Sequence, residues 1–165
     1  MRPIILKGKK VSLAILLRED LPKSWEWFND RSTVRGLFNS AHFTLPEEEE
    51  EFYEELKKNR EKSPTFAVIE NESGKLVGIA GFNWIDWQAR WGEILYYLSP
   101  EDRGKGYGTE TVKLLCEYAF THLNPPQGLG EGSQRQHSVN SHSREERLLF
   151  ERTVQGARLE RREIH

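Results

Sequence analysis

The sequence predicts an α+β fold for residues 1–124, a mixed and largely antiparallel sheet flanked by helices, with the fold left incomplete after residue 124. Two stretches carry this expectation. Thr65–Glu70 and Lys75–Phe82 are β-type runs joined by Asn71-Glu72-Ser73-Gly74, which has hairpin turn chemistry. Ile94–Thr121 passes from an apolar, aromatic run through Ser99-Pro100 and a glycine-rich basic loop into an amphipathic helix. Sequential strands on short turns, with helices before and after, give a sheet covered by helices rather than a bundle or a sandwich.

In chain order, Val11–Leu17 reads as the first strand. Asp20-Leu21-Pro22 opens a helix through Trp25, Trp27 and Phe28, with proline near its first turn. Asp30–Ser40 is mixed helix and loop. Thr44 is placed as an N-cap, with Pro46 inside the helix and Glu47 at the third position. That helix sets Phe52, Tyr53 and Leu56 on one stripe, and its Glu47–Glu51 run reads as a solvated face. After the hairpin, Asn83–Arg90 is aromatic and irregular, and Gly92–Leu98 forms a further strand. A helix from Gly106 to His122 then places Val112, Leu115, Cys116, Ala119 and Leu123 at core spacing.

Composition excludes several functional classes. A chain of 165 residues holds one domain with a real core. A net charge of -2 with interspersed signs argues against nucleic acid as a partner. No stretch approaches the ~20 apolar residues of a membrane span, and the start shows no signal-peptide pattern. The single cysteine, Cys116, rules out a disulfide framework or a paired-cysteine metal site and suits a reducing cytoplasm. His122, His137, His142 and His165 have no ligand-like spacing, so no metal is expected.

The glycine loop carries the chemistry. The first turn of a helix has N–H groups without internal partners, and the helix dipole adds partial positive charge there. Gly104, Gly106 and Gly108 remove side chains that would hold a bulky anion away, while Arg103 and Lys105 add charge. The arrangement suits a phosphate or pyrophosphate. It is no P-loop, because Lys105 is followed by Gly106-Tyr107 rather than Ser or Thr. The dinucleotide fingerprint needs wider glycine spacing and a later acid on a strand.

Arg103-Gly104-Lys105-Gly106-Tyr107-Gly108, preceded by Leu98-Ser99-Pro100-Glu101-Asp102, resembles motif A of the GNAT (general N-acetyltransferase) family. Arg18-Glu19-Asp20-Leu21, Trp27-Phe28-Asn29-Asp30, Val34, the acidic helix after Pro46, Val77–Gly81 and Gly92-Glu93-Ile94 are similar to its Rim-type branch, the ribosomal-protein alanine N-acetyltransferase-like enzymes. The resemblance implies an acyltransferase that moves an acetyl group from acetyl-CoA to a primary amine, on a protein N-terminus or a small molecule. Tyr97 and Leu98 would then flank the pantetheine, and Arg103, Gly104, Lys105, Gly106, Tyr107, Gly108 and Thr109 would hold the pyrophosphate. Glu93 would be the general base, or a residue that only hydrogen-bonds the amine or faces solvent. Phe38, Trp84 and Trp87 would line the amine pocket, or belong to the core. The alternative is a CoA-binding module without catalysis. A third possibility is an interaction domain whose glycine loop binds no CoA.

After Asn124 the chain changes character. Residues 125–165 contain one of the 18 aromatics, Phe150, and none of the ten lysines, but seven arginines. They read as a disordered or polar-helical tail. The family resemblance calls here for a strand and then a helix Asn-x-x-Ser-Ile-x-x-Leu-Glu-Lys-x-Gly-Phe. Gln136–Phe150, back-translated with chosen synonymous codons and read one base later, spells Asn-Thr-Ala-Ser-Ile-Arg-Thr-Leu-Glu-Lys-Ser-Gly-Phe-Tyr. The tail is therefore expected to be a frameshifted translation that starts near Asn124 or Pro125, leaving a sheet edge exposed and open to homodimer formation. Reading the gene across codons 120–165 checks this: the offset frame should encode that helix, and stop codons in it would show the tail to be genuine.

Overall fold

The computed structural model describes residues 1–34, 43–86 and 91–122. By compactness the chain forms two units, Met1–Ile85 with Gly92–Leu115, and Asp86–Trp91 with Cys116–His165. In the second unit, the Thr121 hydroxyl donates to the Glu117 carbonyl at 2.6 Å, within the last turns of a helix. The sheet apart from Asp86 and Trp91, its core and the site below belong to the first unit.

Five strands form one sheet in sequence order: β1 Ile4–Lys7, β2 Val11–Ile15, β3 Thr65–Glu70, β4 Leu76–Asp86 and β5 Trp91–Leu98. β1 to β4 pair antiparallel, with Lys7 opposite Ser12, Ala14 opposite Ala67, and Ala67 opposite Ile79. The Ser99 N–H donates to the Val77 carbonyl at 2.9 Å and carries the ladder on to β5. Helices α1 Leu21–Asn29, α2 Arg31–Val34 and α3 Pro46–Lys58 come between β2 and β3, and α4 Tyr107–His122 follows β5.

The period-2 alternation of the strands sorts the core onto two faces. One face carries Ala14, Ala67, Ile69, Ile79 and Tyr97, packed with Trp27 of α1 and with Tyr53 and Leu56 of α3. The other buries Val11, Leu13 and Val68. There the first turn of α4 meets β5, since a Cβ on Gly108 would lie 3.2 Å from the Tyr96 ring. β4 and β5 approach closely at Gly78, where any Cβ would sit 2.5 Å from the Tyr97 carbonyl oxygen.

Several details differ from the sequence expectation. The first strand is β1, which the sequence reading passed over, and β2 ends at Ile15 rather than Leu17. β4 runs on through Asn83–Asp86, which had read as irregular. Residue Leu45, not Thr44, occupies the N-cap of α3, and Glu48 rather than Glu47 returns its carboxylate to the Leu45 N–H at 2.7 Å. Thr44 is instead held by Asn29, whose side chain bonds both its N–H and its carbonyl. The hairpin turn is as expected, with Gly74 in the left-handed region at φ 70°. On the α3 stripe, Phe52 is 40% exposed while Tyr53 and Leu56 pack on the core.

The acidic run is not wholly solvated either. Glu49 is buried, and its Oε1 accepts from Ser24 Oγ at 3.1 Å. Ser24 in turn bonds the Tyr97 hydroxyl at 2.8 Å, and Glu49 Oε2 has no partner. Burial raises the Glu49 carboxyl above the ordinary carboxylate range, more than the Ser24 bond lowers it. The folded state therefore holds this proton more tightly than the unfolded chain. Stability is highest below the ordinary carboxylate pKa and falls as pH rises through the raised one. Glu49→Gln removes the titration. In urea unfolding between about pH 5 and 8, the wild type should lose stability that the variant keeps.

Candidate functional site

The turn between β5 and α4 sets out a row of backbone donors. Ser99 is buried and leads into a 3-10 turn, Pro100–Asp102. Gly104 and Gly106 both take positive φ, 79° and 85°, a conformation that L side chains rarely adopt. The first internal bond of α4 runs from the Glu110 N–H to the Gly106 carbonyl at 3.2 Å. The amides of Tyr107, Gly108 and Thr109 therefore precede the helical ladder. A Cβ on Gly104 would meet nothing within 4 Å, and one on Gly106 only the Lys10 ammonium at 3.4 Å. The loop backbone thus faces open space at the positive end of a 16-residue helix.

The loop is clamped by four side chains. The Glu110 carboxylate accepts from the backbone N–H groups of Lys9, Lys10 and Val11, at 2.7, 2.8 and 3.0 Å. Burial works against its charge, but these three bonds prevail and lower its pKa. The Lys10 ammonium donates to the Lys105 carbonyl at 3.0 Å. The Tyr107 hydroxyl donates to Glu70 Oε1, and this bond, with burial, pushes the phenol up to about 12.

Asp102 is the fourth, with a side chain 3% exposed. It accepts from Ser99 Oγ at 2.5 Å, from the Lys105 ammonium at 2.7 Å and from the Lys75 ammonium at 3.0 Å. Burial alone would raise its pKa. The bonds from Lys105, Ser99 and Lys75 outweigh it and bring the carboxyl down to about 2.

On the same sheet, Glu93 of β5 forms a second polar group. Its Oε2 accepts from Asn83 Nδ2 and Trp84 Nε1, both at 3.2 Å. Asn83, Glu93, Leu95 and Tyr97 share the face that looks toward α3, by strand alternation. Glu93 is half-buried and Trp84 is 38% exposed. The carboxylate is thus held in place by two N–H donors while staying within reach of solvent.

Residues 12–145 match the acetyltransferase (GNAT) domain family. The chain belongs to the GNAT family. An uncharacterised N-acetyltransferase of Bacillus licheniformis, p20, is 41% identical over 59 residues, 36% of this chain and 33% of that protein. The spermidine N(1)-acetyltransferase of Escherichia coli K12 is 30% identical over 115 residues, 69% of this chain and 59% of that one. The chain thus spans between one third and three fifths of the length of these relatives. Among solved structures, the spermidine N-acetyltransferase of Vibrio cholerae in complex with CoA and spermine superposes with a TM-score of 0.63 at 24% identity, covering 71% of this chain and 68% of that one. A ribosomal L7/L12 alpha-N-protein acetyltransferase superposes with 0.59 at 16% identity, over 72% and 66%. These likenesses show a GNAT fold.

Within this GNAT chain the structure brings Arg103–Thr109 to one turn beside the end of β5, and brings Trp84 to Glu93. It does not present every expected group outward. The Tyr97 side chain is buried in the core against Ser24 and Phe28, so only its backbone borders the loop. Leu98 is buried too. Lys105 is paired with Asp102, and the Arg103 guanidinium donates to Ser32 Oγ at 3.0 Å and to Thr33 Oγ1. Phe38, Trp87 and the tail 125–165 lie outside the described residues. Sequence reasoning missed Asp102, Glu110, Lys10, Ser32, Thr33 and Asn83. The Ser99-x-x-Asp102 spacing was a legible turn signal, but the partners of the others are distant in sequence. Among the described residues no three metal-ligating side chains converge, and no helix is long and apolar enough to cross a membrane.

Asp102→Asn removes the charge on which two ammonium groups and a hydroxyl converge. It should cost about 1.5–3 kcal/mol at neutral pH in urea unfolding. Because the folded pKa lies below the unfolded value, this stabilisation is complete above the ordinary carboxylate range and vanishes as pH falls through about 2. The gap between wild type and variant should close over that interval.

Proposed function

We propose that the protein transfers an acetyl group from acetyl-CoA to a primary amine, acting in the cytoplasm. The observation that carries this is the clamped glycine turn: two positive-φ glycines, with open space beside Gly104, leading into three unladdered amides at the head of α4 in a GNAT chain. The residues fit a diphosphate-bearing cosubstrate. A side chain at Gly104 or Gly106 would project into the space such a group needs, and the amides of Tyr107, Gly108 and Thr109 supply donors. Each amide contributes modestly, so binding relies on several acting together. The outer edge of β5 near Leu98 offers backbone groups for a strand-like partner. The same edge supports self-association of two copies.

When bound, acetyl-CoA supplies a thioester, whose acetyl group passes to the amine nitrogen as the C–S bond breaks; the sulfur leaves as thiolate and ends as the thiol by taking up the proton that the acylated nitrogen gives up. The amine must shed a proton to attack. Glu93 is assigned as its acceptor, since it is the half-buried carboxylate on the strand that leads to the cofactor turn. Asn83 and Trp84 occupy one of its oxygens and orient it, leaving Oε1 for the amine.

Two measurements test the proposal. Calorimetric titration should show heat on adding acetyl-CoA to folded protein, and none with a Gly106→Val variant, whose backbone is barred from φ 85°. Glu93→Gln should lower kcat about 10²–10⁴-fold with acetyl-CoA binding unchanged. Binding without turnover on any amine would favour the non-catalytic CoA module.

A further inference from the structure

Lys10 stands at the glycine turn although nearly a hundred residues of chain separate the two. Its backbone is held on both sides. The N–H donates to Glu110 Oε2 at 2.8 Å, and the carbonyl accepts from the Asn71 N–H at 2.8 Å. Asn71 also ties down the same turn through Nδ2, which donates to the Gly8 carbonyl at 2.8 Å. The side chain therefore leaves from a fixed base. Rather than pairing with a carboxylate among the described residues, its ammonium donates to the Lys105 carbonyl at 3.0 Å. The same contact shows at Gly106, where a Cβ would lie 3.4 Å from Lys10 Nζ. The ammonium thus rests against the Lys105–Gly106 peptide.

That contact decides where the next amide points. The Lys105–Gly106 bond is trans, and in a trans peptide the C=O and the N–H project to opposite sides. With the Lys105 carbonyl turned to Lys10, the Gly106 N–H is turned away from it. Among the described residues this N–H has no acceptor. Gly106 takes φ 85° and Tyr107 begins α4, and successive N–H groups across a turn of this kind face one anion-binding concavity. A cation on the carbonyl also polarises the peptide, which makes its N–H a stronger donor.

We propose that Lys10 is a positioning residue of the cosubstrate site. Its ammonium holds the Lys105–Gly106 peptide so that the Gly106 N–H joins those of Tyr107, Gly108 and Thr109 as a donor to the diphosphate. The identity of that anion rests on the acyltransferase reading above. Lys10 acts from behind the peptide and does not touch the ligand. Its charge nevertheless lies close enough to favour a diphosphate through space.

The test is amide NMR on the labelled protein, with Lys10→Met and Lys10→Arg beside the wild type. Both variants keep the backbone bonds to Glu110 and Asn71. In the free protein Lys10→Met should shift the Gly106 amide nitrogen, and Lys10→Arg should return it toward the wild-type value. On titration with acetyl-CoA the Gly106 amide should move together with those of Tyr107 and Gly108. Lys10→Met should weaken that binding about tenfold at low salt and by less at high salt, while Lys10→Arg binds as the wild type does. A Gly106 amide that ignores the loss of the ammonium overturns the proposal, as does equal affinity of Lys10→Met and wild type. Inorganic pyrophosphate in a parallel titration separates the two levels of inference. Acetyl-CoA binding that leaves the Gly106 amide unmoved and is unchanged in Lys10→Met sinks the role of Lys10 and leaves the acyltransferase standing. Pyrophosphate binding at Gly106 that Lys10→Met weakens, without acetyl-CoA binding, keeps the role of Lys10 and removes the acyltransferase assignment. Binding of neither anion removes both.

Discussion

The geometry of the site depends on one carboxylate. Glu110, in the first turn of α4, gathers three consecutive backbone N–H groups from the turn that joins β1 to β2. Those donors stand at the start of a strand edge and would otherwise face solvent; the acceptor stands where a helix dipole already favours negative charge. The bonds fix where α4 begins relative to the sheet. The glycine turn spans only the short distance between the end of β5 and that point, so its positive-φ path follows from the anchor. Lys10, drawn to the same place, reaches across to the Lys105 carbonyl and completes the enclosure.

The charges around the turn are arranged mainly for the protein's own benefit. Asp102 collects Lys75 and Lys105, while Arg103 rests on α2 through Ser32 and Thr33. A phosphate arriving at the loop meets backbone amides first. It gains the two cations only if they release these partners, so charge and loop rigidity are exchanged against each other. A turn held in this way is pre-organised before any ligand is present, and its amides need no rearrangement to bind one.

Much of the architecture was legible in the chain. The hairpin at Asn71–Gly74 and the strand–turn–helix order of Ile94–Thr121 rest on local chemistry, namely turn residues and periodicity. What stayed hidden depends on distant partners. Ile4–Lys7 is a four-residue edge strand with meaning only beside β2. Asn83–Asp86 looked irregular because its strand character comes from pairing with β5. Glu49 sits in a run of glutamates that local reasoning assigns to water, yet helical rotation turns this one toward Ser24 and the core. At the site the glycines and Glu93 were readable as residue types in pattern. The burial of Tyr97 and the pairing of Lys105 with Asp102 were not, since both are set by tertiary packing.

The sequence-ordered sheet has a consequence for assembly. Each strand pairs with one made just before it, so the sheet can zip up from the N-terminus as the chain emerges. The Glu110 bonds join residues about 100 positions apart and must close a far larger loop. Until translation has passed Glu110, the amides of Lys9–Val11 wait unclaimed at the head of the five described strands. The framework is therefore early and the anion cradle late, and the nascent protein acquires its shape before it acquires its chemistry.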